Sequence, residues 1–157
     1  MLDETDKLIV YELIQDGRAS VETVAENIGL SPTPTRRRIR RLEEEGVITG
    51  YRATVDPRKC DLDLALYVFV KLQGRDRETI RKFERRIENL PEIVRCDLIT
   101  GPHDYILTIR LTNMQDYNTY LRSVLAELPG VFRIETSVVI GEVKDTAQLP
   151  LRLPNWR

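Results

Sequence analysis

The chain has 157 residues with 24 Lys and Arg against 25 Asp and Glu, a net charge of −1. That length suits one or two small domains with real cores, and the charge balance rules out a protein that binds polyanions through its overall field. No apolar run is long enough to span a bilayer, the opening Met1-Leu2-Asp3-Glu4 has no signal-peptide character, and two cysteines, Cys60 and Cys96, are too few for a disulfide framework or a zinc site. A cytoplasmic protein without metal or membrane partner is expected.

In chain order, Asp3 is placed to cap a first helix whose stripe is Ile9, Val10, Leu13 and Ile14, ending near Gly17. Ser20 opens a second, with Val21, Val24, Ala25 and Ile28 on one face and Gly29 at its end. Ser31 then caps a third, with Pro32 at its first position and Pro34 within the first turn. The break between the second and third helices is only a few residues long, so their axes must cross steeply, as in a helix-turn-helix.

The third helix carries Arg36, Arg37, Arg38, Arg40 and Arg41. At 100° per residue, Ile39 and Leu42, with Thr35 beside them, face a core, while Thr33, Arg37, Arg40 and Arg41 lie opposite and Arg36 and Arg38 flank that stripe. Such a helix fits a DNA major groove. Thr33, Arg36, Arg37 and Arg40 are assigned to base edges, and Arg38 and Arg41 to backbone phosphates. Residues Val47 to Val55 read as a small hairpin, a wing that presents Arg52 to a further phosphate. The competing reading is a solvated arginine face paired with Glu43, Glu44 and Glu45. Residues 1–60 hold ten Lys and Arg against eleven Asp and Glu, so the positive potential is local to this helix and its wing, and useful affinity requires several copies.

Asp56 to Asp61 is polar and turn-prone, giving a linker over 56–63 between a head of residues 1–55 and a second domain over 64–144, followed by a tail at 145–157. Leu64 to Leu72 reads as a buried strand. An internal repeat follows: IENLPEIVRCD from Ile87 aligns with LAELPGVFRIE from Leu125, an offset of 125 − 87 = 38, which also brings Val68 onto Ile106 and Phe69 onto Leu107. Each copy is strand, helix, LP break and strand. The helices show Ile80, Phe83, Ile87 and Leu90 in the first copy and Tyr117, Tyr120, Leu121, Val124 and Leu128 in the second. Two copies make βαββαβ, a ferredoxin-like antiparallel sheet with both helices on one face, so the class is α+β. The strands hold more apolar positions than one covered face needs, which predicts pairing of two such sheets.

The opening LDETD, the stretch GLSPTPTRRRIRRLEEEGVITGY, the TGPHDY turn from Thr100 to Tyr105, LPGV from Leu128 and the tail EVKDTAQLPL resemble the leucine-responsive/asparagine-regulator (Lrp/AsnC) family of transcription regulators, nearly from end to end. The resemblance implies a winged helix-turn-helix head and an effector-sensing ferredoxin-like domain. It also implies homodimers assembling into rings, commonly four dimers, and a small effector that is usually an amino acid. On this sequence the implied effector set is Gly101, Asp104 and Tyr105 of the turn, with Met114, Thr136, Ser137 and Val138. Turn amides suit an α-carboxylate and Asp104 an α-ammonium, although Pro102 lacks an amide hydrogen. His103 either tunes ligand choice and pH response or is a solvent-facing loop residue. The plainer alternative for the turn is a hairpin glycine followed by a strand-starting aspartate.

Two other classes compete. Proteins of this two-domain plan include tetrapyrrole decarboxylases, but one histidine, no nucleophile–base spacing and no phosphate-binding glycine loop offer little for catalysis. The other is a protein–protein adaptor whose head has lost DNA.

Overall fold

The computed structural model describes residues 2–74, 76–144 and 151. They form two compact units, one of residues up to Thr54 with Lys144 and Leu151, the other of Val55–Val143. The expected tail, apart from Leu151, lies outside the described residues.

The head unit contains helices α1 (Glu4–Gln15), α2 (Val21–Asn27) and α3 (Pro32–Glu44). Asp3 caps α1 in a reciprocal box with Asp6, and Ser20 accepts the Thr23 amide at 3.0 Å. Ser31 stands at the start of α3 but makes no side-chain cap bond. The reason lies in the sequence: the third helical residue is Pro34, whose missing amide is one of those a serine cap would serve. Instead the Thr35 hydroxyl donates to the Ser31 carbonyl at 3.0 Å. Ile9, Val10, Val24, Ile39 and Leu42 form the core, with Leu13, Ile14, Ile28 and Leu151 packed around it. Ile39, Leu42 and Thr35 are buried as the helical projection of α3 requires.

The hairpin expected over Val47–Val55 is not formed. No residue there is in a strand, and the Val47 and Ile48 amides both donate to the Leu42 carbonyl, at 2.9 and 3.0 Å, so they close the end of α3. Gly46, at φ +69°, makes that reversal possible. Ile48 packs on the head core, but Val47, Tyr51 and Val55 are exposed, and an isolated two-stranded ribbon is marginal in water. The segment has no regular secondary structure, and Arg52 is exposed on it.

In the second unit a 3₁₀ turn (Pro57–Cys60), capped by Asp56, precedes β1 (Leu64–Leu72), α4 (Arg77–Ile87), β2 (Ile93–Leu98), β3 (Tyr105–Leu111), α5 (Met114–Ser123), a 3₁₀ turn (Leu125–Glu127) and β4 (Val131–Val138). The strands run in the order β2-β3-β1-β4, all antiparallel. The repeat thus makes the ferredoxin-like sheet that the sequence predicts. Leu66, Val68, Val70 and Leu72 alternate inward beneath Phe83, Ile87, Tyr117 and Tyr120. Tyr67, Phe69 and Lys71 project from the other face, opposite Ser137, Glu135 and Arg133 of β4. The second helix is shorter than its apolar spacing suggests, and Leu125 is buried from the 3₁₀ turn instead.

Candidate nucleic-acid interface and effector turn

Partners divide the five arginines of α3 more sharply than exposure does. Arg36 donates to Glu22 at 3.0 Å and Arg40 to Glu44 at 2.9 Å, all four side chains being well exposed. Arg37 makes no ion pair among the described residues. Exposed pairs of this kind contribute no more than about 1 kcal/mol and are screened by salt, so a phosphate displaces either glutamate at little cost. Arg38 and Arg41 differ. Arg38 donates to Asp3 at 2.6 Å and Asp6 at 2.8 Å, and Arg41 to Asp6 at 2.6 Å. Asp6 is only 2% exposed, and uncovering a buried carboxylate costs about 3–5 kcal/mol. Arg37, Arg38, Arg40, Arg41 and Glu44 line one open concavity of about 450 Å³ along α3. Thr33 is exposed at its amino-terminal end. This is a cationic helix face, tied to α1 through buried Asp6 at one edge and held only by exposed, exchangeable pairs at the other.

In the second unit the Thr100–Tyr105 turn is closed by the Ile99 amide donating to the Asp104 carbonyl at 2.9 Å. Gly101 sits at φ +121°, a conformation that strains any side chain. Asp104 is buried and built into the frame. Its amide donates to Val70, its Oδ2 accepts the Leu72 amide at 2.9 Å, and Lys71 Nζ lies 3.5 Å from its Oδ1. It thereby holds the irregularity where β1 slips register against β4. Tyr105 is also inside: its ring packs on Phe83 at 4.7 Å, its hydroxyl donates to Glu84 at 2.9 Å, and burial pushes its pKa up.

His103 stands outside the frame. Its ring lies 5.3 Å from that of Phe69, and its Nε2 is 3.2 Å from Glu135, which also takes Arg133 at 2.9 Å. Ser137 is exposed on the same sheet face, opposite Tyr67. Thr136 shares a hydroxyl contact with Tyr117 on the helix-covered side, and Met114 and Val138 are about half exposed. Of the eight residues implied as an effector set, Asp104 and Tyr105 are buried in the frame, His103 is largely covered (16% exposed) between Phe69 and Glu135, and Met114, Thr136, Ser137 and Val138 are exposed, with Gly101 shaping the turn. Sequence reading missed Phe69 and Glu135. Only the pairing of β1 with β4 brings them to His103, and no local signal marks them.

Cys96 is unreactive by environment: burial, aided by the Asp97 and Glu84 charges, pushes its thiol up to about 11. Among the described residues no three His, Cys, Asp or Glu side chains gather to hold a metal.

Comparison with known proteins bears on both units. Residues 2–49 match the winged helix-turn-helix DNA-binding family, and residues 65–149 match the Lrp/AsnC ligand binding domain. The chain belongs to the Lrp/AsnC family. It is 38% identical over 151 residues to the leucine-responsive regulatory protein of Escherichia coli K12, covering 96% of this chain and 92% of that one. A transcriptional regulator of Neisseria meningitidis, solved as its L-Met complex, superposes with a TM-score of 0.91 at 30% identity, covering 96% of this chain and 97% of that one. An AsnC family regulator of Agrobacterium tumefaciens superposes at 0.89 with 27% identity, over 95% and 97% of the two chains. This Lrp/AsnC protein is a DNA-binding transcription regulator with a ligand-binding domain, and not an enzyme. That sets aside the tetrapyrrole decarboxylase alternative.

Proposed function

We propose that this regulator works as a homodimer, further assembled into a ring, that sets pairs of α3 helices into successive major-groove half-sites and changes its assembly or DNA grip when an amino acid binds. Thr33, Arg36, Arg37 and Arg40 face the bases, and Arg52 meets the backbone beside them. The observation that carries the DNA half is the exposed edge of α3, where Arg37 is unpaired among the described residues and Arg36 and Arg40 hold only exchangeable partners. On a chain of charge −1 that edge must act locally, so binding weakens steeply with salt.

The effector half is supported by the Neisseria regulator, whose structure holds L-Met. In this chain the effector lies against the Gly101-Pro102-His103 turn, with His103 and Ser137 beside it on the open sheet face, Asp104 and Tyr105 forming the frame beneath, and Met114, Thr136 and Val138 approaching from the helix-covered side. The open sheet face, with Tyr67 and Phe69 among charged neighbours, is where we place pairing between copies. No helix of the described residues is long and apolar enough to cross a membrane, and we place the protein in the cytoplasm, beside the chromosome.

A thermal-shift screen of free amino acids tests the effector directly. A true effector at a hundred times its Kd stabilises the protein by about 2.7 kcal/mol, and His103→Ala shrinks that gain. If no amino acid moves either the melting temperature or the salt-titrated DNA affinity, the effector reading falls. Sedimentation checks assembly: a species of 18.2 kDa at all concentrations would contradict it. Arg37→Ala with Arg40→Ala must weaken duplex binding in a salt-titrated gel shift, and unchanged affinity would overturn the interface.

A further inference from the structure

Asp6 is the most buried charged side chain described, and its carboxylate joins the cap of α1 to two arginines of α3. Its Oδ1 accepts Arg38 at 2.8 Å, and its Oδ2 accepts Arg41 at 2.6 Å together with the Asp3 amide at 3.2 Å. Asp3 in turn accepts the Asp6 amide at 2.7 Å and a second Arg38 bond at 2.6 Å. The two carboxylates at the first turn of α1 therefore cap their own helix and grip two guanidinium groups one turn apart on α3. The Asp6 amide, and after it the Arg38 bond, hold the Asp3 carboxyl below its ordinary value, and the pairing with Asp3 and Asp6 raises Arg38. Glu22 and Glu44 can yield their arginines to a phosphate without leaving a buried charge behind. Asp6 cannot.

We infer that Asp6, with Asp3, is a positioning residue for DNA recognition: it retains Arg38 and Arg41 as brackets between α1 and α3, so that α3 is held at a fixed pitch and only its other edge meets DNA. Arg38 and Arg41 then contribute alignment rather than phosphate contacts, although an arginine count along α3 assigns them to the backbone. This inference rests on the DNA reading above and refines which side chains carry it.

The test compares salt dependence and selectivity in the full-length protein. Each phosphate contact adds about 0.9 to the slope of log affinity against log salt. Arg52→Gln, at the side chain placed on the backbone, is expected to lower that slope by about one contact on a random duplex, whereas Arg41→Gln leaves it unchanged. Asp6→Asn frees Arg41 and leaves Arg38 to Asp3 alone, while loosening α3. On the random duplex its slope steepens, by about one contact's worth, and preference for a duplex selected by the wild type from a random pool falls at least about tenfold. A residue needed only for folding would lower both affinities together. If Arg41→Gln removes about one contact from the slope, or Asp6→Asn keeps full selectivity, the inference is overturned. Should Asp6→Asn fail to fold, the Arg41→Gln slope decides alone. A double-mutant cycle of Asp6→Asn with Arg41→Gln, read by thermal unfolding, needs no DNA. Non-additive shifts support the bracket and additive ones refute it, even if the wild type were found to bind no duplex and the DNA reading failed by itself.

Discussion

The sensing unit and the head reach stability by different routes. Among the described residues the former buries fifteen core side chains between its sheet and helices, from Leu66 through Phe83 to Leu128, whereas the head buries five around Ile9, Val24 and Leu42. A core of that size leaves the head dependent on polar devices: the Asp3–Asp6 box, the Ser20 cap and the Asp6 bridges to α3. Apolar layers fix a sheet against helices without regard to salt. A carboxylate gripping two guanidinium groups fixes one helix against another with angular definition that a few aliphatic contacts do not supply. The unit that must aim side chains at a groove is the one that uses it.

The strongest way to break this contrast is in the cores. Phe83→Ala is expected to cost about 3–5 kcal/mol, and Leu42→Ala about 2–5 kcal/mol. In denaturant titrations the first should lower the transition of the sensing unit and leave head helicity in place, while the second unfolds the head. A single shared transition for both variants would show that the units do not hold their own cores.

Next in size are two left-handed glycines. Gly29 (φ +70°) has open space where a Cβ would stand, but at Gly130 (φ +72°) that atom would lie 2.2 Å from the Thr79 methyl of α4. Gly29→Ala should cost about 1–2 kcal/mol from backbone strain alone. Gly130→Ala should cost more, and Thr79→Ser, which deletes the methyl, should recover the excess. Thermal unfolding of the double variant measures it.

Smaller again are the caps. Ser20→Ala removes the oxygen that serves the Thr23 amide, and Asn113→Ala the one that serves the Gln115 and Asp116 amides, each at about 1 kcal/mol. Because the head has the smaller core, Ser20→Ala should produce the larger fractional loss of protection in hydrogen exchange of its own unit.

The smallest expected effect is acid sensitivity at the start of α1. The folded-state pKa of Asp3 is depressed, first by the Asp6 amide and then by Arg38. Its stabilisation is therefore present above the ordinary carboxyl value of 3.8 and is lost as pH falls through the lower folded value. Melting temperature followed from pH 6 to pH 2 should fall less steeply in Asp3→Asn than in the wild type. Equal slopes would remove Asp3 from the acid response.

Much of this architecture was legible in the residues. Asp3, Ser20, Gly29 and Gly46 mark helix ends because caps and left-handed reversals act within one turn of chain. The repeat around the two LP breaks announces βαββαβ because each copy must bury the same apolar pattern. The LPG of the second copy even contains the glycine that α4 requires, though nothing local to Gly130 names Thr79 as the reason.

Tertiary structure decided the rest, and the misreadings share a cause. A hairpin over Val47–Val55 has suitable residues, but its first amides are taken by the Leu42 carbonyl and close α3 instead. Arg38 looks solvent-facing on a helical wheel, yet Asp3, 35 positions earlier, is its partner. Nothing local to Asp104 shows that its carboxylate also holds a register slip in β1, and Glu135 comes to His103 only through strand pairing. The sequence by itself determined which segments become helices and strands and which helix carries the charge, since periodicity and capping are interactions between near neighbours. Which charges stay available to a partner was decided only in three dimensions, because a carboxylate far along the chain captures a guanidinium once the packed helices bring them within hydrogen-bond reach and exclude the water that would otherwise serve both.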